Sequence, residues 1–293
     1  MTKIAVLGSI NTDYVFEANN LPKAGETVFG KNVKINFGGK GANEAVCASR
    51  LGADVCLFGA VGDDAFSEKN IANLKKEKVN TEFVKHCKNV FGGSAGIFVG
   101  DSTNSIVVVS GANAEVDLKY FEKIKNKLKS FDVVGTQLEI KKEVVEKLLD
   151  FAEKNKIKVV FNPSPMTKLD EKLLKKCSFV VVNEIEVQSL PNYKSVEQIL
   201  KHYEGRLIVT LGADGACFFE DGKVQHSAAV DVKVVDTTGA GDTFLASFMV
   251  AIAEGKTVKQ AVEFANICAS LKCTKLGAQT AMPTRKEVDK FKK

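Results

Sequence analysis

Val133-Val134-Gly135-Thr136-Gln137 and Ile157-Lys158-Val159-Val160-Phe161 are short apolar runs, and between them Val144, Val145, Leu148, Leu149 and Ala152 share one helical face. A strand, a helix and a strand in that order read as a parallel βαβ unit, since a parallel neighbour is reached only through a crossover. The pattern repeats at Phe179 to Val182 and at Leu207 to Leu211, with helical segments between. The expected fold class is therefore α/β, a doubly wound, mostly parallel sheet flanked by helices. Upstream, Lys3 to Gly8 reads as a first buried strand. Val28 to Phe37 and Gly96 to Val109 read differently, as short strands broken by Gly, Asp and Asn turns that form a small β element beside the main sheet. Gly41 to Leu51 places Ala42, Ala45, Val46 and Ser49 at helical spacing directly after Gly38-Gly39. No linker, low-complexity tract or fixed-period repeat interrupts the chain, so a single domain over residues 1–293 is expected.

Composition narrows the function. The 41 basic and 36 acidic residues give a formal charge of +5, but the lysines are scattered over polar helix faces such as Lys119 to Lys129 and do not cluster with aromatics, which argues against nucleic acid. Seven cysteines lie far apart without a Cys-x-x-Cys pair, and there are only three histidines, too few for a zinc site. They read as reduced, buried thiols. Met1 to Gly8 lacks the length of a signal peptide or membrane span, so no membrane association and a cytoplasmic location are expected.

The chemistry concentrates in Asp236-Thr237-Thr238-Gly239-Ala240-Gly241-Asp242-Thr243-Phe244, which follows the β-rich run Val230 to Val235 and precedes an apolar helix through Phe248 and Ile252. It reads as a strand, a glycine turn and a helix start. Small residues let the amides of Gly239, Ala240 and Gly241 approach an anion at a helix amino terminus, with the Asp242 carboxylate beside it. A carboxylate there is also an ordinary helix-start residue. Two nucleotide fingerprints are excluded: Gly239-x-Gly241-x-x-Phe244 lacks a third glycine, and Gly39-Lys40-Gly41 has no Ser or Thr after the lysine. Gly38-Gly39-Lys40-Gly41-Ala42-Asn43, with Asn11 and Asp13 after the first strand, offers hydroxyl-binding side chains on a close-approach turn, or simply a turn and a capped helix. Asn183 and Glu186 follow another strand, where they suit a water-coordinated Mg²⁺ near ATP phosphates or a helix cap.

In this order, Gly8-Ser9-x-Asn11-x-Asp13, Gly38-Gly39-Lys40-Gly41-Ala42-Asn43, Asn183-x-x-Glu186, Thr210-Leu211-Gly212-x-x-Gly215 and Asp236-Thr237-x-Gly239-Ala240-Gly241-Asp242 resemble the ribokinase family of carbohydrate kinases, from Lys3 to about Pro283. Gly111-Ala112-Asn113 and Gln137-Leu138-Glu139 add to the resemblance. It implies ATP-dependent phosphorylation of a sugar, with ribose at O5 expected, and a nucleoside, fructose or a deoxy sugar acid as alternatives. A non-catalytic sugar or nucleotide sensor is the reading from another class. The resemblance further implies a lid of about residues 11–37 and 91–109 that closes over the sugar and pairs with a second subunit in a homodimer. It assigns Asn11, Asp13, Gly39, Lys40, Asn43 and Glu139 to the sugar and Asp242 to proton removal from the primary hydroxyl. Nucleotide contacts fall on Asn183, Thr210, Gly212, Gly215, Gly239, Gly241 and Asn266. A monovalent cation, usually K⁺, is implied at Asp236, Thr238, Lys272, Lys275 and Gly277, several acting through backbone carbonyls. Two departures stand out: Ala281 replaces a hydroxyl ligand of that cation, and Gly92-Gly93-Ser94-Ala95-Gly96 is glycine-rich within the lid.

Overall fold

The computed structural model describes residues 1–101, 103–165 and 170–291. Its strands are β1 (Lys3–Leu7), β2 (Asn11–Ala18), β3 (Gly30–Gly38), β4 (Asp54–Val61), β5 (Val84–His86), β6 (Gly93–Gly100), β7 (Thr103–Val109), β8 (Val133–Thr136), β9 (Val159–Phe161), β10 (Phe179–Asn183), β11 (Leu207–Thr210), β12 (Ala216–Glu220) and β13 (Lys223–Ser227). Its helices are α1 (Lys40–Arg50), α2 (Ala65–Lys76), α3 (Leu118–Ile124), α4 (Lys142–Asn155), α5 (Glu171–Leu174), α6 (Val196–His202), α7 (Ala240–Ala253), α8 (Val258–Cys273) and α9 (Arg285–Phe291).

Nine strands form the main sheet in the order β13-β12-β11-β10-β9-β8-β1-β4-β5. From β11 to β5 all neighbours are parallel. Alternate residues of each strand point to opposite faces, and the two cores divide accordingly. Ile4, Val6, Val133, Val160, Val181 and Ile208 pack with α1, α2, α7, α8 and α9 on one face. Ala5, Leu7, Val134, Val159, Val180 and Leu207 pack with α3, α4, α5 and α6 on the other. That two-sided burial is why the parallel strands read as continuous apolar runs. The remaining pairs, β11 with β12 and β12 with β13, are antiparallel, the last two joined through a tight turn at Asp221-Gly222.

A second sheet, ordered β3-β2-β6-β7, stands off the first. β2 runs parallel to β6, and the outer pairs are antiparallel. One face is apolar and open: Val33, Ile35, Val107 and Val109 are exposed on it, and Phe16 stacks there on Phe98 at 5.4 Å between ring centroids, while Ile106 and Val108 lie on the opposite face. Among the described residues, no helix is long and apolar enough to cross a membrane.

The expected strand at Val230 to Val235 is absent. That segment is irregular, held against the end of α8 by the Val235 and Asp236 amides, which both donate to the Cys273 carbonyl (2.8 and 3.2 Å), and by the Val230 amide on Ser270 Oγ (3.2 Å). Its β-branched residues line a strap, with Val234 and Val235 exposed, and among the described residues no neighbouring strand pairs with it.

Candidate active site

Five parallel strands end on one edge of the main sheet, and each passes the chain to polar residues there. Ser9 and Asn11 follow β1, Gln137 and Glu139 follow β8, Asn162 follows β9, and Asn183 and Thr210 close β10 and β11. Chain order runs outward in opposite directions from β1 and β8, so the crevice between these neighbours is the switch point where open α/β sheets take ligands. A cleft of about 360 Å³ lies there, lined by Asn11, Lys40, Asn113 and Glu139, with Val108 of the small sheet on its far side.

The sugar-assigned residues come together around the start of α1. Gly39 is the residue before the helix, at φ 88°, and a Cβ on it would stand 2.7 Å from the Asn11 amide nitrogen, so only glycine brings the two backbones this close. Glu139 accepts from the Lys40 amide (3.0 Å) and from Asn11 Nδ2 (3.5 Å), placing a carboxylate at the positive end of α1. Asn113 fixes Asn11 and its backbone: its Nδ2 donates to Asn11 Oδ1 (2.7 Å), and its Oδ1 accepts from the Ile10 amide (2.9 Å). Asp13 lies over Gly38, and burial, then the Glu139 and Asp242 charges, push its carboxyl up to about 7.

Asp242, in the first turn of α7, is only 8% exposed. Asn43 Nδ2 donates to its Oδ2 at 2.7 Å, and Lys40 Nζ lies 3.7 Å from its Oδ1. The amide of Asn43 is itself oriented, because Gln279 Nε2 donates to Asn43 Oδ1 (3.1 Å) and Asn73 Nδ2 donates to Gln279 Oε1 (2.8 Å). Burial pulls the Lys40 ammonium down, but Asp242, Glu139, Glu186 and Glu44 outweigh it and hold its pKa above the ordinary lysine value. Glu44, one turn along α1 and fully buried, is pushed well up by burial and by Asp242, while Gln137 donates to it.

The turn before α7 is built as a cradle. Gly239 sits at φ 77° as its last residue, and its carbonyl accepts from both the amide (2.9 Å) and the Oγ1 (2.8 Å) of Thr243. The Ala240 amide donates to the Thr237 carbonyl at 3.0 Å, so that member of the expected anion-binding trio is already engaged. The following amides, of Gly241 and Asp242, have no intrahelical acceptor by position and point out of the helix start. Asp236 anchors the turn: its Oδ1 accepts from the Thr238 amide (2.9 Å) and its Oδ2 from the Gly277 amide (2.8 Å). Burial raises the Asp236 carboxyl, but these amides and Lys272 win, leaving it below the usual range.

The nucleotide-assigned residues line the neighbouring stretch of the same edge. Asn183 and Thr210 are paired across β10 and β11. Asn183 Oδ1 accepts from the amides of Ile185 (2.9 Å) and Glu186 (2.7 Å), and Glu186 Oε2 accepts from the Asn183 amide (3.0 Å). Gly212 and Gly215 shape the turn after β11, where the Leu211 amide donates to the Gly215 carbonyl at 2.7 Å. Asn266 is buried on α8 and its Nδ2 donates to the carbonyl (2.9 Å) and Oγ (3.0 Å) of Ser227, which makes it a tether for the end of β13. Lys275 points outward and pairs with Glu287 at 2.8 Å.

Ser9, Glu44, Asn113 and Gln279 were not singled out by sequence reasoning. Ser9 and Asn113 lie inside family-like segments, but the partners of such residues are remote in sequence: Gln279 and Asn43 are 236 positions apart.

Comparison with known proteins places this geometry. Residues 1–285 match the model of the pfkB family carbohydrate kinases. The chain is 38% identical over 291 residues to a ribokinase of Bacillus subtilis, covering 99% of each. It is 40% identical over 289 residues to a ribokinase of Lactococcus lactis, covering 98% of this chain and 96% of that one. A structure of the Arabidopsis thaliana ribokinase complexed with ribose and ATP superimposes with a TM-score of 0.88 at 31% identity, over 99% of this chain and 98% of that one.

Proposed function

The chain belongs to the pfkB family of carbohydrate kinases, and from that membership we propose that it transfers the γ-phosphoryl group of ATP to O5 of D-ribose, giving D-ribose 5-phosphate and ADP. The observation that carries the proposal is Asp242: a buried carboxylate at a helix start, between the hydroxyl-binding cluster and the glycine turn, with Asn43 and Lys40 holding its two oxygens. The relatives' names and the ribose and ATP held by the Arabidopsis protein support the choice of substrates.

Asn11, Asp13, Asn43 and Glu139 bind the sugar hydroxyls, with Lys40 as a further donor and Gly39 allowing the close approach. The primary hydroxyl is presented to Asp242, which takes its proton as O5 attacks phosphorus in line with the departing ADP oxygen. Charge on the equatorial phosphoryl oxygens is received by the amides at the start of α7, the donors of Gly241 and Asp242. ATP lies along Asn183, Thr210, Gly212 and Gly215, reaching the turn at Gly239. Asn183 and Glu186 offer oxygen donors on the open edge, and Glu186 is near enough to act on the Lys40 charge, so the pair fits a hydrated Mg²⁺. When bound, that ion neutralises phosphate charge.

The residues assigned to K⁺ fit that ion poorly. Each Asp236 carboxylate oxygen already accepts from one amide, the Asp236 carbonyl is taken by the Lys272 ammonium (2.6 Å), and Ala281 brings no hydroxyl. Residues 1–293 act as one kinase domain in the cytoplasm, with the segments 11–37 and 91–109 as its lid. The open apolar face of the small sheet suits a homodimer through the lid, a contact that light scattering would detect as a doubled mass.

A coupled ADP-release assay with Mg-ATP and D-ribose, adenosine, fructose or deoxyribose tests the function. D-ribose is expected to give the highest kcat/KM. Turnover only with another acceptor would overturn the substrate, and separate binding of ATP and sugar without ADP release would overturn catalysis.

A further inference from the structure

Lys272, in the last turn of α8, is fully buried with 0% exposure, a rare state for a lysine. Its Nζ donates to the Asp236 carbonyl at 2.6 Å, at the head of the turn that leads into α7. The charges that face it are those of Asp236 and Asp242, with the Cys273 thiol beside it. Burying an ammonium costs several kcal/mol unless oxygens and opposite charge compensate it. Burial outweighs those charges and draws the Lys272 pKa below the ordinary lysine value, so the turn that carries the anion-binding amides and the base supplies part of the compensation. The same strap, Val235 to Asp236, is bound to the end of α8 through the Cys273 carbonyl, so the ammonium and the turn form one rigid unit.

We propose that the Lys272 ammonium is a resident cation of the phosphoryl-transfer site, standing in for a soluble monovalent cation so that turnover does not depend on K⁺. This rests on the kinase reading above. The ammonium carries the same single charge as K⁺, takes a carbonyl oxygen as K⁺ would, and is delivered covalently by α8. It is a positioning residue: it holds the Asp236 carbonyl and with it the orientation of the Gly241 and Asp242 amides, and its charge favours the negative phosphoryl group that those amides receive. Loss of the hydroxyl at Ala281 agrees with this, because a site with its own cation does not need a complete ligand shell for a free one.

The test measures ADP release with ribose at fixed ionic strength in KCl, NaCl or tetramethylammonium chloride, whose cation is too large for a carbonyl-lined site. The native protein is expected to show kcat within twofold in all three. Lys272→Ala is expected to lose about tenfold or more of kcat in tetramethylammonium, with the sugar KM little changed, on the scale of weakened transition-state stabilisation. Lys272→Ala/Ala281→Ser, which empties the position and restores a hydroxyl, is expected to recover in KCl alone. A several-fold rise in native kcat with K⁺ overturns the proposal, as does Lys272→Ala with unchanged kcat in tetramethylammonium. If the protein phosphorylates no sugar in any salt, the function falls separately, and melting decides the cation: KCl should leave the native Tm where NaCl puts it and raise that of the double variant. A K⁺-specific rise in native Tm overturns the proposal even if neither variant folds.

Discussion

On the sugar side of the cleft, Asn11, Asn43 and Asp242 are buried and each is oriented by another side chain, whereas on the nucleotide side Asn183 is exposed and, with Glu186, folds back onto amides of its own turn. The first arrangement is pre-organised through contacts between distant parts of the chain, so a substitution there disturbs several partners. The second is local, and a substitution there removes little beyond itself. On the function proposed above, discrimination between acceptors falls to the sugar side, and the nucleotide side is an open shelf for a ligand that brings its own charge.

The largest effect expected from this contrast is at Asp242. Asp242→Asn keeps the shape and the contact to Asn43 but removes the base, and kcat should fall by about a hundredfold or more, the usual scale for a general base. Near-native turnover would remove Asp242 from the chemistry. Next is Gly39→Ala, where a positive φ and a 2.7 Å approach to the Asn11 amide combine. A cost of about 2 kcal/mol in stability is expected, with weaker sugar binding, read by thermal melting and sugar KM.

Asp13 adds a pH arm. Its folded carboxyl is held near 7 against an ordinary 3.8, so the native state keeps a proton that the unfolded chain gives up. That contribution to stability is fully present below about 3.8 and is lost as pH rises through about 7. Asp13→Asn should therefore raise Tm above pH 7, do little at pH 4, and remove any inflection near 7 in the pH profile of sugar kcat/KM. An unchanged profile would show that Asp13 titrates elsewhere. The smallest effect should come from Glu186→Gln, about threefold to tenfold in the KM for Mg-ATP with sugar KM unchanged, in the range of one ordinary hydrogen bond. A comparable loss on the sugar side would break the division.

The parallel sheet was legible because its strands are buried on both faces and so read as short apolar runs at crossover spacing, as at Val133 to Phe161. The glycine segments were legible because close approach restricts residue type locally, as at Gly39. Val230 to Val235 misled because β-branched residues also suit an extended strap held by a helix end, and nothing in a single segment reveals whether a neighbouring strand is present. Asp221-Gly222 is a hairpin turn that marks the antiparallel edge. Gln279 and Asn113 could not be assigned from one chain, since their work is done on residues far away. For Lys272 the main-chain expectation set aside the side chain, which carries the charge.

β2 gives the site a mechanical property. Its first residue, Asn11, lies in the cleft, Asp13 follows two residues on, and the strand runs outward between β3 and β6 to an irregularity at Glu17-Ala18. Eight residues of strand make a rod about 26 Å long. A pivot at the inner end is geared up at the tip, so a shift of one ångström at Asp13, roughly a quarter of the way along, swings the far end by about four. On the function proposed above, a pentose arriving at the inner end would be read out as a displacement of the outermost strands.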